Sequence, residues 1–85
     1  MVQGGRGVRS KSGDKKLLVT LLKKIRQDAG LRQTDLAVSL GKPQSYVSKY
    51  ESGERRLDIL ELRQVCRAVG ISLVEFSRRL EKLVL

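Results

Sequence analysis

The chain has 85 residues, which is enough for one small domain with a single core but not for two. Its 18 Lys and Arg residues outnumber its 9 Asp and Glu residues, and the net charge of +9 favours a polyanionic partner, with nucleic acid ahead of an acidic protein or a membrane surface. The chain has one cysteine and no histidine, which argues against a zinc site, an internal disulfide and the commonest acid–base chemistry. We therefore expect a binding protein that is not an enzyme and that uses no metal and no cofactor.

The apolar stretches are too short to cross a membrane. The longest runs from Leu17 to Leu22, whereas a helix that spans a bilayer needs about 20 apolar residues. The N-terminus lacks an apolar signal segment, and the single Cys66 is in keeping with a reducing compartment. We expect a cytoplasmic protein without membrane contact.

The first 14 residues, MVQGGRGVRSKSGD, are rich in glycine and basic side chains and have almost nothing to bury. Such a composition predicts a disordered basic tail. The alternative is an arm that adds phosphate contacts or enters the minor groove of DNA, as arms of some small DNA-binding domains do.

From Lys15 onward, apolar residues recur at the spacing of amphipathic helices, and glycines separate the segments. The first predicted helix begins at Lys15 and ends before Gly30. The second runs from Gln33 to Leu40 and stops at Gly41. The predicted core residues of these two helices are Leu18, Leu21, Leu22, Ile25 and Ala29, followed by Leu36, Ala37 and Leu40.

The third predicted helix begins at Pro43, whose missing N–H suits the first helical position, and ends at Gly53. Asp58 and Ser72 begin the fourth and fifth helices, and each has a glutamate three residues later, the spacing of a capping box. We therefore expect one all-α domain over residues 15–85, with five helices and no strands. Its further core residues are Val47 and Tyr50, then Ile59, Leu62, Val65, Cys66 and Val69, then Leu73, Phe76, Leu80 and either Leu83 or Val84.

Two short helices joined by a glycine-containing turn are typical of the helix-turn-helix unit, whose second helix lies in the major groove of DNA. Here the third predicted helix has Gln44, Ser45 and Lys49 on its outward face. Glutamine and lysine side chains match the donors and acceptors on base edges. The pattern favours base reading over the alternative that these residues are only solvated.

The stretch AGLRQTDLAVSLGKPQSYVSKYESGERRLD, followed by LELRQVCRAVGISLVEF, resembles the Cro/cI-type (XRE-like) helix-turn-helix regulators over roughly residues 17–77. The resemblance implies a compact five-helix, lambda-repressor-like DNA-binding domain. The residues that fall at the family's spacing are Gln33, Ala37, Gly41, Val47, Ser48, Glu51 and Gly53.

The resemblance also implies roles for single residues. Gln44, Ser45 and Lys49 would read bases, with Gln44 suited to adenine and Lys49 to guanine. Gln33 would hold a phosphate and support the third helix, and Tyr46 and Ser48 would lie at the margin, against phosphate or thymine methyl groups. The residues implied to contact the DNA backbone are Gln33, Lys42, Tyr46, Ser48, Arg55 and Arg56.

The family often pairs an arginine of the first helix with a glutamate of the third, and those positions here are Arg26 and Glu51. We expect a structural ion pair, because removing one partner would leave a partly buried charge. Two positions depart from the family: Leu57 replaces a common proline before the fourth helix, and Arg32 stands where Ser, Thr or Asn usually precedes the second helix. Arg32 cannot accept from the backbone amides. Arg32 could instead contact phosphate.

Specific binding by this motif usually comes from two-fold dimers. We therefore expect a nucleoid-associated homodimer that binds double-stranded DNA and acts as a repressor by occupying a promoter. An antitoxin or a protein-binding adaptor with the same fold is the alternative function. The apolar C-terminus could form the dimer interface, or it could close the monomer's own core, through Leu80, Leu83, Val84 and Leu85.

Overall fold

The computed structural model describes the backbone of residues 11–84 and the side chains of residues 13–84. Within this part of the chain there are five α-helices and no strand, so the predicted all-α, five-helix fold is confirmed. The helices are α1 (Lys11–Asp28), α2 (Gln33–Leu40), α3 (Gln44–Ser52), α4 (Ile59–Val69) and α5 (Leu73–Val84). No helix between residues 11 and 84 is long and apolar enough to cross a membrane.

The first helix is longer than predicted. α1 begins at Lys11 rather than Lys15, so residues 11–14, which the composition assigns to the tail, belong to the helix. Asp14 lies in the first turn, where a carboxylate interacts favourably with the positive end of the helix dipole. A single glycine, Gly13, costs a helix only about 1 kcal/mol and does not end it. The rest of the predicted disordered tail, residues 1–10, lies outside the described residues.

The core lies at the centre of the five helices, and every helix contributes to it. α1 packs against α3, α4 and α5, and α2 packs against α3 and α4. Three predictions of core residues are wrong: Ala29, which follows the last residue of α1, is exposed; Ile59, the first residue of α4, is 62% exposed; and Leu83 and Val84, at the end of α5, are both exposed. All of these residues lie at the end of a helix or next to one. The buried core residues are Leu21, Leu22, Ile25, Leu36, Ala37, Val47, Tyr50, Val65, Cys66 and Phe76.

The turn between α2 and α3 sets the angle of the helix-turn-helix. Gly41 has a φ of +67°, a left-handed conformation that glycine adopts without a steric penalty. This conformation lets the N–H of Lys42 donate to the carbonyl oxygen of Ala37 over 3.0 Å, which ends α2. Pro43 is the N-cap of α3 and not its first residue, so α3 begins at Gln44, one residue later than predicted.

The helix starts at α2 and α4 use different side chains. At α4 the carboxylates of Asp58 and Glu61 each accept the other's backbone N–H, over 2.7 and 3.0 Å, as the capping-box spacing predicts. At α2 the N-cap is Arg32, whose side chain has no acceptor. Asp35 compensates, because its carboxylate accepts the backbone N–H of Arg32 over 2.8 Å and also pairs with the Arg32 guanidinium. These contacts, led by the guanidinium, lower the pKa of Asp35 to about 2.

Candidate nucleic-acid interface

One face of α3 is buried and the other is open to solvent. Val47 and Tyr50 lie in the core. Because these two side chains are buried, the other side of the helix, including its first turn, faces solvent. The side chains of Gln44, Ser45 and Lys49 are all exposed. Ser45 and Lys49 are four residues apart and therefore lie next to each other on the helix surface. The structure brings the three predicted base-reading residues together on one exposed surface.

A buried ion pair supports this surface from behind. The Arg26 guanidinium donates two parallel hydrogen bonds to the Glu51 carboxylate, over 2.8 and 3.0 Å, and a third to the carbonyl oxygen of Leu31 over 2.8 Å. The two side chains are only 9% and 3% exposed. The hydrogen bond to Glu51 raises the pKa of Arg26 above its ordinary value. Arg26 thus connects α1 to the end of α3 and to the loop before α2.

Gln33 extends this pair to the protein surface. Its amide nitrogen donates to the Glu51 carboxylate over 3.1 Å, and its amide oxygen accepts from the Gln44 side chain over 2.6 Å. A chain of hydrogen bonds therefore runs from buried Arg26 through Glu51 and Gln33 to exposed Gln44. Within residues 11–84 the amide oxygen of Gln44 has no hydrogen-bond partner, so it is available to an outside donor.

The helical pattern does not reveal the contact between Gln33 and Gln44. The pattern places each residue at the start of its own helix, and the tight turn at Gly41 brings the two starts within reach of each other. The family resemblance does give a signal, since it assigns Gln33 a supporting role beside α3.

Two cationic side chains lie near the ring of Tyr46, which is half-buried on α3. The Lys42 ammonium lies 5.4 Å from the centre of the Tyr46 ring, and the Arg55 guanidinium carbon lies 4.7 Å from it. Both distances are within the range of cation–π attraction. The Tyr46 ring also meets Tyr50 edge to face, with centroids 5.7 Å apart. Burial raises the pKa of Tyr46 above its ordinary value.

The neighbouring Arg55 and Arg56 have different environments. Arg55 forms an ion pair of 2.8 Å with Glu61 and donates to the carbonyl oxygen of Arg56 over 2.9 Å. Its charge is therefore balanced by a carboxylate. Arg56 is exposed, and among residues 11–84 no carboxylate pairs with it or with Lys42 or Lys49. The sequence pattern treats the two arginines alike and misses this difference.

The remaining candidate residues lie in two places. Ser48 is half-buried beside the exposed surface of α3. At the C-terminus, Leu80 packs against the core, whereas Leu83 and Val84 are 47% and 36% exposed. Leu85 lies outside the described residues.

Comparisons with known proteins agree with this geometry. A helix-turn-helix family model matches residues 22–76. An XRE-family like protein from Pseudomonas syringae pv. tomato str. DC3000 is 35% identical, with a TM-score of 0.83 over 96% of this chain and 100% of that chain. A search of curated proteins gave no match.

The wild-type restriction-modification controller protein C.Esp1396I is 30% identical, with a TM-score of 0.76 over 84% of this chain and 93% of that chain. The same controller protein has also been solved as a tetramer in complex with its natural 35 base-pair operator. The match in sequence and the match in structure cover most of this chain and coincide on the helix-turn-helix. The chain therefore belongs to the Cro/cI-type, XRE-like family of helix-turn-helix transcriptional regulators.

Proposed function

We propose that this protein binds a specific sequence of double-stranded DNA through α3 and represses transcription from a two-fold symmetric operator. The observation that carries the proposal is the hydrogen-bonded connection from the buried pair of Arg26 and Glu51 to Gln44. A side chain that reads bases is effective when its position is set before the DNA arrives. Gln44 is the exposed residue of α3 that meets this condition.

The three exposed residues of α3 supply the base contacts in this proposal. Gln44 retains an acceptor oxygen and one amide hydrogen for adenine, whose major-groove edge offers a donor and an acceptor. Lys49 provides donors for the two acceptors of guanine. Ser45 lies between them and can donate or accept. A good bidentate contact discriminates between bases by about 1–3 kcal/mol.

The surrounding residues supply the backbone contacts. Lys42 and Arg56 have no carboxylate partner among the described residues, so their charge is free to displace counterions from phosphates. Arg55 contributes less net charge, because Glu61 balances it. The further residues to which we assign backbone contacts are Gln33, Tyr46 and Ser48.

The protein would act without catalysis, in the cytoplasm, as a homodimer on the DNA of the nucleoid. The structure of C.Esp1396I as a tetramer on its operator supports both a DNA partner and assembly of several chains. Two-fold pairing would place two α3 helices about 34 Å apart, one turn of the duplex. We assign the dimer interface to the C-terminus, through the exposed Leu83 and Val84 together with Leu80 and Leu85.

The salt dependence of DNA binding tests the assignment of the backbone contacts. We expect Arg56→Gln to reduce the steepness of log affinity against log salt concentration by about 1 for each subunit, hence by about 2 for the dimer, and to weaken binding to all sequences alike. The matched control is Arg67→Gln, because Arg67 is exposed and lies in the last turn of α4, at the far end of that helix from Arg56. Equal slopes for both variants in a fluorescence-anisotropy titration would contradict the assignment.

A further inference from the structure

A half-open cavity lies beside the proposed DNA-binding surface, where α1 passes the C-terminal end of α3. Its volume is about 260 Å³, slightly below the roughly 300 Å³ at which pockets for drug-sized ligands begin. Tyr50 of α3 and Gly53, which follows the last residue of α3, line one side. Its other walls are apolar and come from Leu18, Val19, Leu22, Leu57 and Leu62.

The rim of this cavity is positively charged. It carries Lys15, Arg55 and Arg56, and none of the described residues that line the cavity is acidic. Glu61 balances the charge of Arg55. Lys15 and Arg56 have no carboxylate partner within residues 11–84. Two cationic side chains without a carboxylate partner therefore lie at the edge of the apolar cavity.

Lys15 lies over the end of α3. A Cβ atom placed on Gly53 would be 3.5 Å from Cε of Lys15 and 3.9 Å from its Nζ. The ammonium group is thus beside the C-terminal end of a helix and still has donors for an anion. Val19 is half-buried, but it is not among the residues that pack against the buried core, and its side chain faces the cavity.

We propose that the cavity binds a small organic anion, a carboxylate with an apolar body, and that binding of this anion lowers the affinity of the protein for DNA. The apolar body would cover Val19 and its neighbours, which gains free energy by removing apolar surface from water. The carboxylate would pair with Lys15 and Arg56. The volume restricts the ligand to a short fatty acid or an aromatic acid of similar size.

The effect on DNA rests on the proposed function, because Arg56 is the shared residue. A carboxylate bound to Arg56 competes with the DNA phosphate that Arg56 would otherwise contact. Coupling of this kind is reciprocal, so DNA would weaken binding of the anion by the same factor. The site would let the DNA-binding domain itself respond to a metabolite.

Binding of the anion is tested first without DNA. The probe is octanoate, added to the isotopically labelled full chain, with amide shifts followed by NMR. We expect saturable shifts that are largest for the residues lining the cavity, and at least threefold weaker binding of octan-1-ol, which lacks the charge. Lys15→Gln should weaken octanoate binding about threefold to fivefold, the value of an exposed ion pair.

Val19→Phe fills the cavity and should abolish the octanoate shifts. The control is Val38→Phe, because Val38 is exposed on α2 and does not line the cavity; this variant should bind octanoate as the wild type does. Any one of three results would overturn the proposed site. These are the absence of saturable shifts with octanoate, binding of octan-1-ol as tight as that of octanoate, and octanoate binding that is unchanged in both Val19→Phe and Lys15→Gln.

The effect of octanoate on DNA binding is then measured with the same protein. Saturating octanoate should weaken DNA binding several-fold in the wild type and have little effect in Arg56→Gln. An octanoate site without any change in DNA affinity would overturn the coupling and leave the proposed function standing. A protein that binds octanoate but no DNA would overturn the proposed function instead.

Discussion

The side-chain nitrogen of Gln44 donates to the side-chain oxygen of Gln33 over 2.6 Å, and this hydrogen bond joins the first residues of α3 and α2. Gln33 in turn donates to Glu51, so the orientation of an exposed side chain depends on a buried ion pair. Folding of the core and presentation of the DNA-binding surface are therefore linked.

Removing the hydrogen bond by which Gln33 supports Gln44 should change the base preference more than the stability of the fold. The comparison is between the operator and a duplex in which the base pair contacted by Gln44 is changed. A bidentate contact discriminates between such duplexes by about 1–3 kcal/mol, and we expect Gln33→Ala to reduce this difference in binding free energy by about 1 kcal/mol. Overall affinity should fall as well, since a phosphate contact is lost. Competitive binding of the two duplexes measures the preference. Thr34→Ala, at the exposed neighbouring residue, is the control, and an unchanged preference in Gln33→Ala would show that Gln44 needs no support.

Breaking the buried ion pair should unfold much of the protein. Arg26→Met leaves the Glu51 carboxylate buried without its partner, and we expect a loss of about 3–5 kcal/mol in the free energy of unfolding. The control is Lys24→Met, because the pair of Lys24 and Asp28 is exposed and is worth at most about 1 kcal/mol. Urea unfolding of both variants gives the comparison. Replacing Arg26 and Glu51 together by methionine should recover most of the loss, and no recovery would refute this explanation.

Two glycines should respond in opposite ways to alanine. Gly53 ends α3 with a φ of +88°, and an L-residue there costs about 1–2 kcal/mol. Gly13 lies inside α1, and an added Cβ would have no described atom within 4 Å apart from its chain neighbours and the backbone of its own helix, so Gly13→Ala should stabilise the fold by up to about 1 kcal/mol. Thermal unfolding should therefore shift down for Gly53→Ala and up for Gly13→Ala. A shift in the same direction for both would show that backbone conformation does not decide the outcome.

Acid should weaken the start of α2. The folded-state pKa of Asp35 is about 2, lowered from 3.8 mainly by the Arg32 guanidinium. Because the pKa is depressed, the contact stabilises the fold above the unfolded-state pKa, and this contribution disappears as the pH falls through the folded-state value. Asp35→Asn should therefore lose less stability than the wild type as the pH falls from about 4 to about 2. An NMR titration of the Asp35 carboxyl carbon gives the direct check, and a pKa of 3.8 or above would contradict the contact.

The C-terminal residues should control dimerisation. Substitution of both Leu83 and Val84 by glutamine removes an exposed apolar edge, and we expect a higher dissociation constant of the dimer in sedimentation equilibrium. The control is Val74→Gln, because Val74 is 69% exposed on the same helix but lies nine residues, about two and a half turns, from Leu83 and so on the opposite side. Dimerisation unaffected by the double substitution, or lost in Val74→Gln, would place the interface elsewhere.

The helices and their ends could largely be predicted from the sequence, because local physics determines them. The glycines after α2 and α3 and the capping box of Asp58 and Glu61 are short-range signals, and the structure has them at the predicted residues. The start of α1 at Lys11 was not predictable in the same way, since glycine and basic residues are shared by tails and helix starts. Ile59 matches the helical spacing, but its place at the very start of α4 leaves it in solvent.

The faces of the helices could be predicted, but the pairing of side chains across them could not. Periodicity puts Arg55 and Arg56 together in a loop beside α3 and gives no reason to distinguish them. Glu61 already has a role in the capping box, and only the fold shows that the same carboxylate also holds Arg55 over the ring of Tyr46. Long-range pairs of this kind depend on how helices pack, which spacing along the chain does not contain.

Selection of bound duplexes from a random DNA library, at roughly physiological salt, tests the central proposal most directly, because non-specific binding is weak there. For the wild type we predict an enriched two-fold symmetric motif with half-sites about one helical turn apart. Gln44→Ala should enrich a motif that has lost its preference at one position in each half-site. A library left without enrichment by the wild type would contradict sequence-specific binding and favour a protein partner for this surface.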